Sequence, residues 1–148
     1  MKKFILPVLL SCSAICLAQS KPNTIEDVSK MAVYPGCNVN QTNEELSNCF
    51  KKNLYNDIAD ELKDFADKVN TNVKSNFVSV SNFVVSTNGM IENVKIKGDD
   101  QLNAAVEDAI ARLNTKFKEG NMRIAPAKNK KGESVDLAYN LPVRFTIQ

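Results

Sequence analysis

The chain contains no histidine. That removes the commonest general base at neutral pH and the commonest metal ligand. Glycine is scarce, with five in 148 residues, and no glycine-rich loop follows a strand pattern to cradle a phosphate. Gly36 and Gly89 read instead as turn residues. There is no apolar run of the roughly 20 residues needed to span a bilayer. The nearest approach, Phe4 to Leu10 and on to Ala18, is short and broken by Ser11 and Ser13. Charge of one sign is not in excess either. Without Lys2 and Lys3 the 19 basic residues become 17, equal to the 17 acidic ones. A neutral chain lacks the electrostatic footprint of a nucleic-acid or anionic-membrane binder, so no nucleic-acid partner is expected.

What is present begins with Met1-Lys2-Lys3 and the short apolar run. This is the pattern of a secretory signal peptide, with cleavage expected after Ala18. Leu9-Leu10-Ser11-Cys12 is a loose match to a lipoprotein signal, but Leu10 is unusual before the small residue. Plain export to the periplasm or beyond is therefore the expectation. Removing residues 1–18 leaves two cysteines, Cys37 and Cys49. In an exported chain they read as one disulfide, the alternative being two separate buried thiols. A loop this short should add about 2–3 kcal/mol of stability.

Residues 19–41 are polar, with Pro22, Pro35 and Gly36, and are expected to form an irregular lead. The domain proper is expected over 42–148. Thr42-Asn43-Glu44-Glu45 is a capping box. Leu46, Phe50, Leu54, Ile58, Leu62, Phe65 and Val69 follow at helical spacing, predicting one helix of up to about seven turns. Thr87-Asn88-Gly89-Met90 predicts a two-residue type I′ hairpin turn. That turn pairs Val85 with Glu92 and Phe83 with Val94, placing Phe83, Val85, Met90, Val94 and Ile96 on one face. Asp99 or Asp100 then caps a second helix carrying Leu102, Ala105, Val106, Ala109, Ile110, Leu113 and Phe117, which Gly120 ends. From Val135 to Ile147 every odd position is apolar, predicting a strand on the order of 40 Å long at roughly 3.3 Å per residue. Pro142 lies inside it, which suits an edge strand or a bulge.

The order helix, strand, strand, helix, strand predicts an α+β two-layer sandwich. Its three-stranded antiparallel-type sheet has order 2-1-3, with two helices on one face. The final strand then lies on an edge, where another chain could add a strand.

Several motifs in this order resemble the C-terminal domain of TonB-type energy transducers, in the form common in Bacteroidetes. The segment from Phe83 to Ile96 is similar to that family's first hairpin. Ala125-Pro126-Ala127-Lys128 with Lys131-Gly132-Glu133-Ser134-Val135 resembles its proline-lysine turn. Tyr139-Asn140-Leu141-Pro142-Val143-Arg144-Phe145 resembles its closing strand, and Tyr34-Pro35-Gly36-Cys37 with Cys49-Phe50 resembles flavobacterial members. The match spans about residues 34–148. It departs at Arg123-Ile124, where the family usually has a tryptophan, and at Ala127, which replaces the turn glycine.

The resemblance implies a peptide-binding mode in which an extended segment adds to the last strand. The edge would be Tyr139, Asn140, Leu141, Val143, Arg144, Phe145 and Thr146. The implied partner is a TonB-dependent outer-membrane transporter or another envelope protein. With about two dozen residues between the signal and the domain, force transduction by this chain alone is not expected. The competing expectations are an edge-to-edge homodimer, or an edge covered by the N-terminal lead. No catalytic constellation, metal site or cofactor is expected. Asp99 and Asp100 serve the helix start, and Lys128, Lys130 and Lys131 form a solvated turn.

Overall fold

A computed structural model describes residues 21–66, 77–120 and 122–146. The expected signal segment, Val69 and Ile147 lie outside them. The protein is α+β, with two helices and two three-stranded antiparallel sheets. The strands are β1 (Val28–Lys30), β2 (Phe77–Val85), β3 (Ile91–Gly98), β4 (Ala127–Asn129), β5 (Ser134–Val135) and β6 (Leu137–Thr146). The helices are α1 (Asn43–Ala66) and α2 (Asp100–Glu119). The larger sheet has order β3-β2-β6 and the smaller β1-β4-β5.

Helix α1 starts where its capping box says it should. The Thr42 N–H donates to Glu45 Oε2 at 2.8 Å, and the Glu45 N–H donates back to the Thr42 hydroxyl at 3.3 Å. Its stripe of Leu46, Phe50, Leu54, Ile58 and Leu62 is buried. Helix α2 begins at Asp99, whose carboxylate accepts from the Gln101 N–H at 2.9 Å, and all seven of its predicted apolar residues are buried. Glu61 on α1 ties the helices together by pairing with Arg112 and Lys116 of α2. These stripes share one core with Val78, Val80, Phe83 and Val85 of β2 and with Leu137 and Tyr139 of β6.

The segment before α1 is not the irregular lead expected from its polarity. It holds a 3-10 turn at Ile25–Asp27, strand β1 and a bridge between Val33 and Ala125. Met31, Ala32 and Tyr34 are buried in the main core, and Tyr34 meets Phe50 and Phe117 edge-on. With Val28 these make four buried apolar residues in a polar stretch, too few for a periodic signal, yet they suffice to pin it. The Cys37–Cys49 disulfide adds a covalent tie to α1.

The hairpin corrects two further expectations. The loop has three residues, closed by Gly89 N–H to Ser86 O and Ser86 N–H to Met90 O, both at 2.9 Å. Gly89 has φ +73° while Asn88 does not take positive φ, so the turn is not type I′. The extra loop residue shifts the register, pairing Val85 with Ile91 and Val84 with Glu92. Ile91 rather than Met90 therefore joins the core. Asn93, at φ +53°, then kinks β3 so that Val94 and Ile96 still pack against the core.

The terminal ribbon is also not one strand. Val135 belongs to β5 of the smaller sheet, and β6 starts at Leu137. Within β6 the pairing with β2 jumps from Asn82–Asn140 to Val80–Val143. Leu141 and Pro142 fall in that irregularity, where a missing proline N–H breaks no regular rung. The same break lets β2 bury Val78 and Val80 on one side of it and Phe83 and Val85 on the other.

Candidate functional site

Along a sheet edge the backbone N–H and C=O groups either find partners or wait for another chain. In this protein the edges differ in how they are closed.

Strand β3 is capped at Ile91 by a side chain. The Ile91 N–H donates to Asn114 Oδ1 at 2.9 Å, and Asn114 Nδ2 donates to Ile91 O at 2.7 Å. One primary amide on α2 thus imitates a neighbouring strand residue. Beyond it, the Asn93 kink and the exposed Lys95 and Lys97 disfavour a flat pairing surface. Strand β1 is held the same way. The Met31 N–H donates to Asn43 Oδ1 at 3.0 Å, and Asn43 Nδ2 reaches Ser29 O at 3.4 Å.

Strand β6 is met differently. Asn23 of the lead forms a one-residue parallel bridge with Leu137. The Asn23 N–H donates to Asp136 O, and the Ala138 N–H donates to Asn23 O, both at 2.9 Å. Asp136 is fixed from its other side, because its carboxylate accepts from the Thr87 N–H at 2.8 Å. The lead then turns away. Strand groups two residues apart point to the same side, so the Ala138 C=O and the Asn140 N–H are the next groups on this edge. Among the described residues no strand pairs with β6 on that side.

The residues of the expected binding edge divide accordingly. Tyr139 is core: it stacks on Phe83 with ring centres 5.1 Å apart and on Phe50 at 4.7 Å. Burial pushes its hydroxyl well above the ordinary tyrosine pKa, and that hydroxyl faces the Ala32 backbone without a hydrogen bond of normal geometry. Its share in an edge is therefore its backbone. Asn140 is exposed. Val143, Arg144, Phe145 and Thr146 pair with Val80, Ser79, Val78 and Phe77 of β2, and Leu141 lies in the irregularity.

Beside Asn140 a groove of about 750 Å³ runs between the lead and the sheet. Pro22, Ile25 and Glu26 line one wall, and Val84, Ala138 and Asn140 line the sheet side. Among the described residues no group of three or more Cys, Asp or Glu side chains could hold a metal ion. None of their helices is long and apolar enough to cross a membrane. Asn23, Asn43, Asn114 and Asp136, the residues that set which edge is open, carry no motif that would mark them in the sequence. No protein-family model, curated protein or solved structure matches the chain.

Proposed function

We propose that this protein is an exported interaction module that captures an extended peptide by strand addition to the outer edge of β6. In this reading the larger sheet, with both helices over its buried face, is a two-layer platform of the TonB C-terminal type. The partner is an envelope protein such as a TonB-dependent transporter, whose N-terminal segment supplies the added strand. Backbone hydrogen bonds give affinity, and alternate side chains give selectivity.

The observation that carries this reading is the asymmetry of the edges. Side-chain amides borne on helices hold Ile91 at the start of β3 and Ser29 and Met31 along β1, whereas the described contact on the outer edge of β6 is the lead's single bridge at Leu137. The Cys37–Cys49 disulfide supports an oxidising compartment.

Asn140→Pro tests the reading. It removes an edge donor beside the natural break at Pro142, where β2 pairing is already irregular. Labelled peptides copied from transporter N-terminal segments should bind the natural chain and lose about fivefold or more in affinity to the variant, the scale of one charge-free hydrogen bond. Equal binding would sink the idea. Sedimentation without peptide separates the edge-to-edge dimer, which would show a stable two-chain species at micromolar concentration.

A further inference from the structure

We propose that residues 22–27 are a displaceable strap. They occupy the near end of the β6 edge in cis, and a partner strand gains the full edge by dislodging them. This rests on the strand-addition reading above.

The strap is attached where a ligand would attach. Asn23 takes the Asp136 C=O and the Ala138 N–H, and its side-chain amide adds a longer contact to Asp136 O at 3.3 Å. It satisfies the edge for one residue only. The chain then leaves the line of β6 because Thr24 and Asp27 lock a tight turn. The Thr24 N–H and hydroxyl both donate to Asp27 Oδ2, at 2.9 and 2.7 Å, and the Asp27 N–H donates to Thr24 O at 3.1 Å. Without that turn, residue 25 would be in line to take the Ala138 C=O and the Asn140 N–H.

The strap is lightly held. Residues Thr24 to Asp27 are all exposed, and the 3-10 turn buries nothing. Swinging it out breaks few contacts and uncovers little apolar surface. The following residue, Val28, is only 6% exposed and begins β1, so the movement would hinge between Asp27 and Val28. The groove under Ile25 and Glu26 gives an incoming chain room to enter before the strap has left.

A tethered segment competes at high effective concentration. If the strap is down about nine-tenths of the time, a partner binds about tenfold more weakly than it would to the bare edge. Two full-chain variants test this. Asn23→Pro removes the donor that holds the strap, and the double variant Asn23→Pro/Ile25→Pro also denies the released segment the next donor along the edge.

In both, the Ala138 amide should exchange with solvent up to about tenfold faster, while amides paired between β2 and β6 keep their protection. The same labelled transporter peptides should bind both variants about tenfold more tightly than the natural chain. Unchanged Ala138 exchange in both variants overturns the strap. So does faster exchange with equal or weaker peptide binding. If no peptide binds any of the three forms, the strand-addition reading itself fails and takes the strap with it.

Discussion

Replacing Asn114 by alanine should cost the protein about 1.5 kcal/mol. The amide makes two hydrogen bonds to Ile91, at 2.9 and 2.7 Å. Each is worth about 1 kcal/mol net, and alanine returns about 0.6 kcal/mol through its better helix propensity. Both bonds are part-buried, so water can replace some of what is lost and the figure stays below that for a deeply buried pair. Urea unfolding followed by far-UV circular dichroism, with the disulfide kept oxidised, measures it. Asn114→Asp sharpens the reasoning. It keeps an acceptor for the Ile91 N–H but sets a carboxylate against the Ile91 carbonyl. It should therefore be less stable than wild type at pH 7 and recover as acid protonates the side chain and restores a donor. A loss under about 0.3 kcal/mol for Asn114→Ala, or an aspartate variant whose deficit relative to wild type grows in mild acid, would show that Asn114 does not hold this edge.

Two other outcomes follow from the geometry. Gly89 and Gly132 both have positive φ, +73° and +81°, but a Cβ on Gly89 would sit 2.3 Å from the Ile124 carbonyl oxygen, while Gly132 has nothing within 4 Å. Gly132→Ala should cost about 1 kcal/mol from backbone strain alone, and Gly89→Ala clearly more, in the same urea assay; equal losses would mean the crossing segment yields freely. Hydrogen bonds from Lys116, and then from Arg112, hold the Glu61 carboxyl below its ordinary value near 4.5. A carboxyl depressed in the folded state adds stability above its unfolded value and loses it as pH falls through the folded one. Thermal midpoints of wild type and Glu61→Gln should thus converge as pH drops from 6 to 3; a gap that widens in acid would contradict the clasp.

Much of the fold was legible because it is written locally. Thr42 and Glu45 are three residues apart, and α2's buried stripe lies within one helix, so both helices could be read from spacing. The disulfide was expected from the two cysteines left once the expected signal segment is set aside, and it is present. What failed depended on contacts distant in sequence or on one extra residue. Asn88-Gly89 suggested a two-residue turn, but Gly89 serves the loop by its positive φ and by the approach of Ile124, 35 positions away. Val135 and Leu137 share one alternating pattern, yet the two strands join different sheets. Period two reports which side is buried, not which sheet buries it.

The candidate site was legible only as a strand. Whether a strand edge is open depends on what lies beside it, and here that is decided by single asparagines. Asn114 reaches Ile91 from 23 residues away, Asn43 reaches Met31 from 12, and Asn23 reaches Ala138 from more than a hundred. None sits in a pattern: for Asn43 and Asn114 one primary amide suffices to imitate a peptide group wherever the fold sets it against a backbone, and Asn23 bridges β6 through its own backbone. The difference between them is mechanical. Asn43 and Asn114 project from helices fixed by buried stripes, so β1 and β3 cannot be uncovered without disturbing the core. Asn23 projects from a segment with exposed neighbours, so β6 can. In the strand-addition reading proposed above, β6 would be favoured over β1 and β3 less by the character of that strand than by the rigidity of what holds the other two.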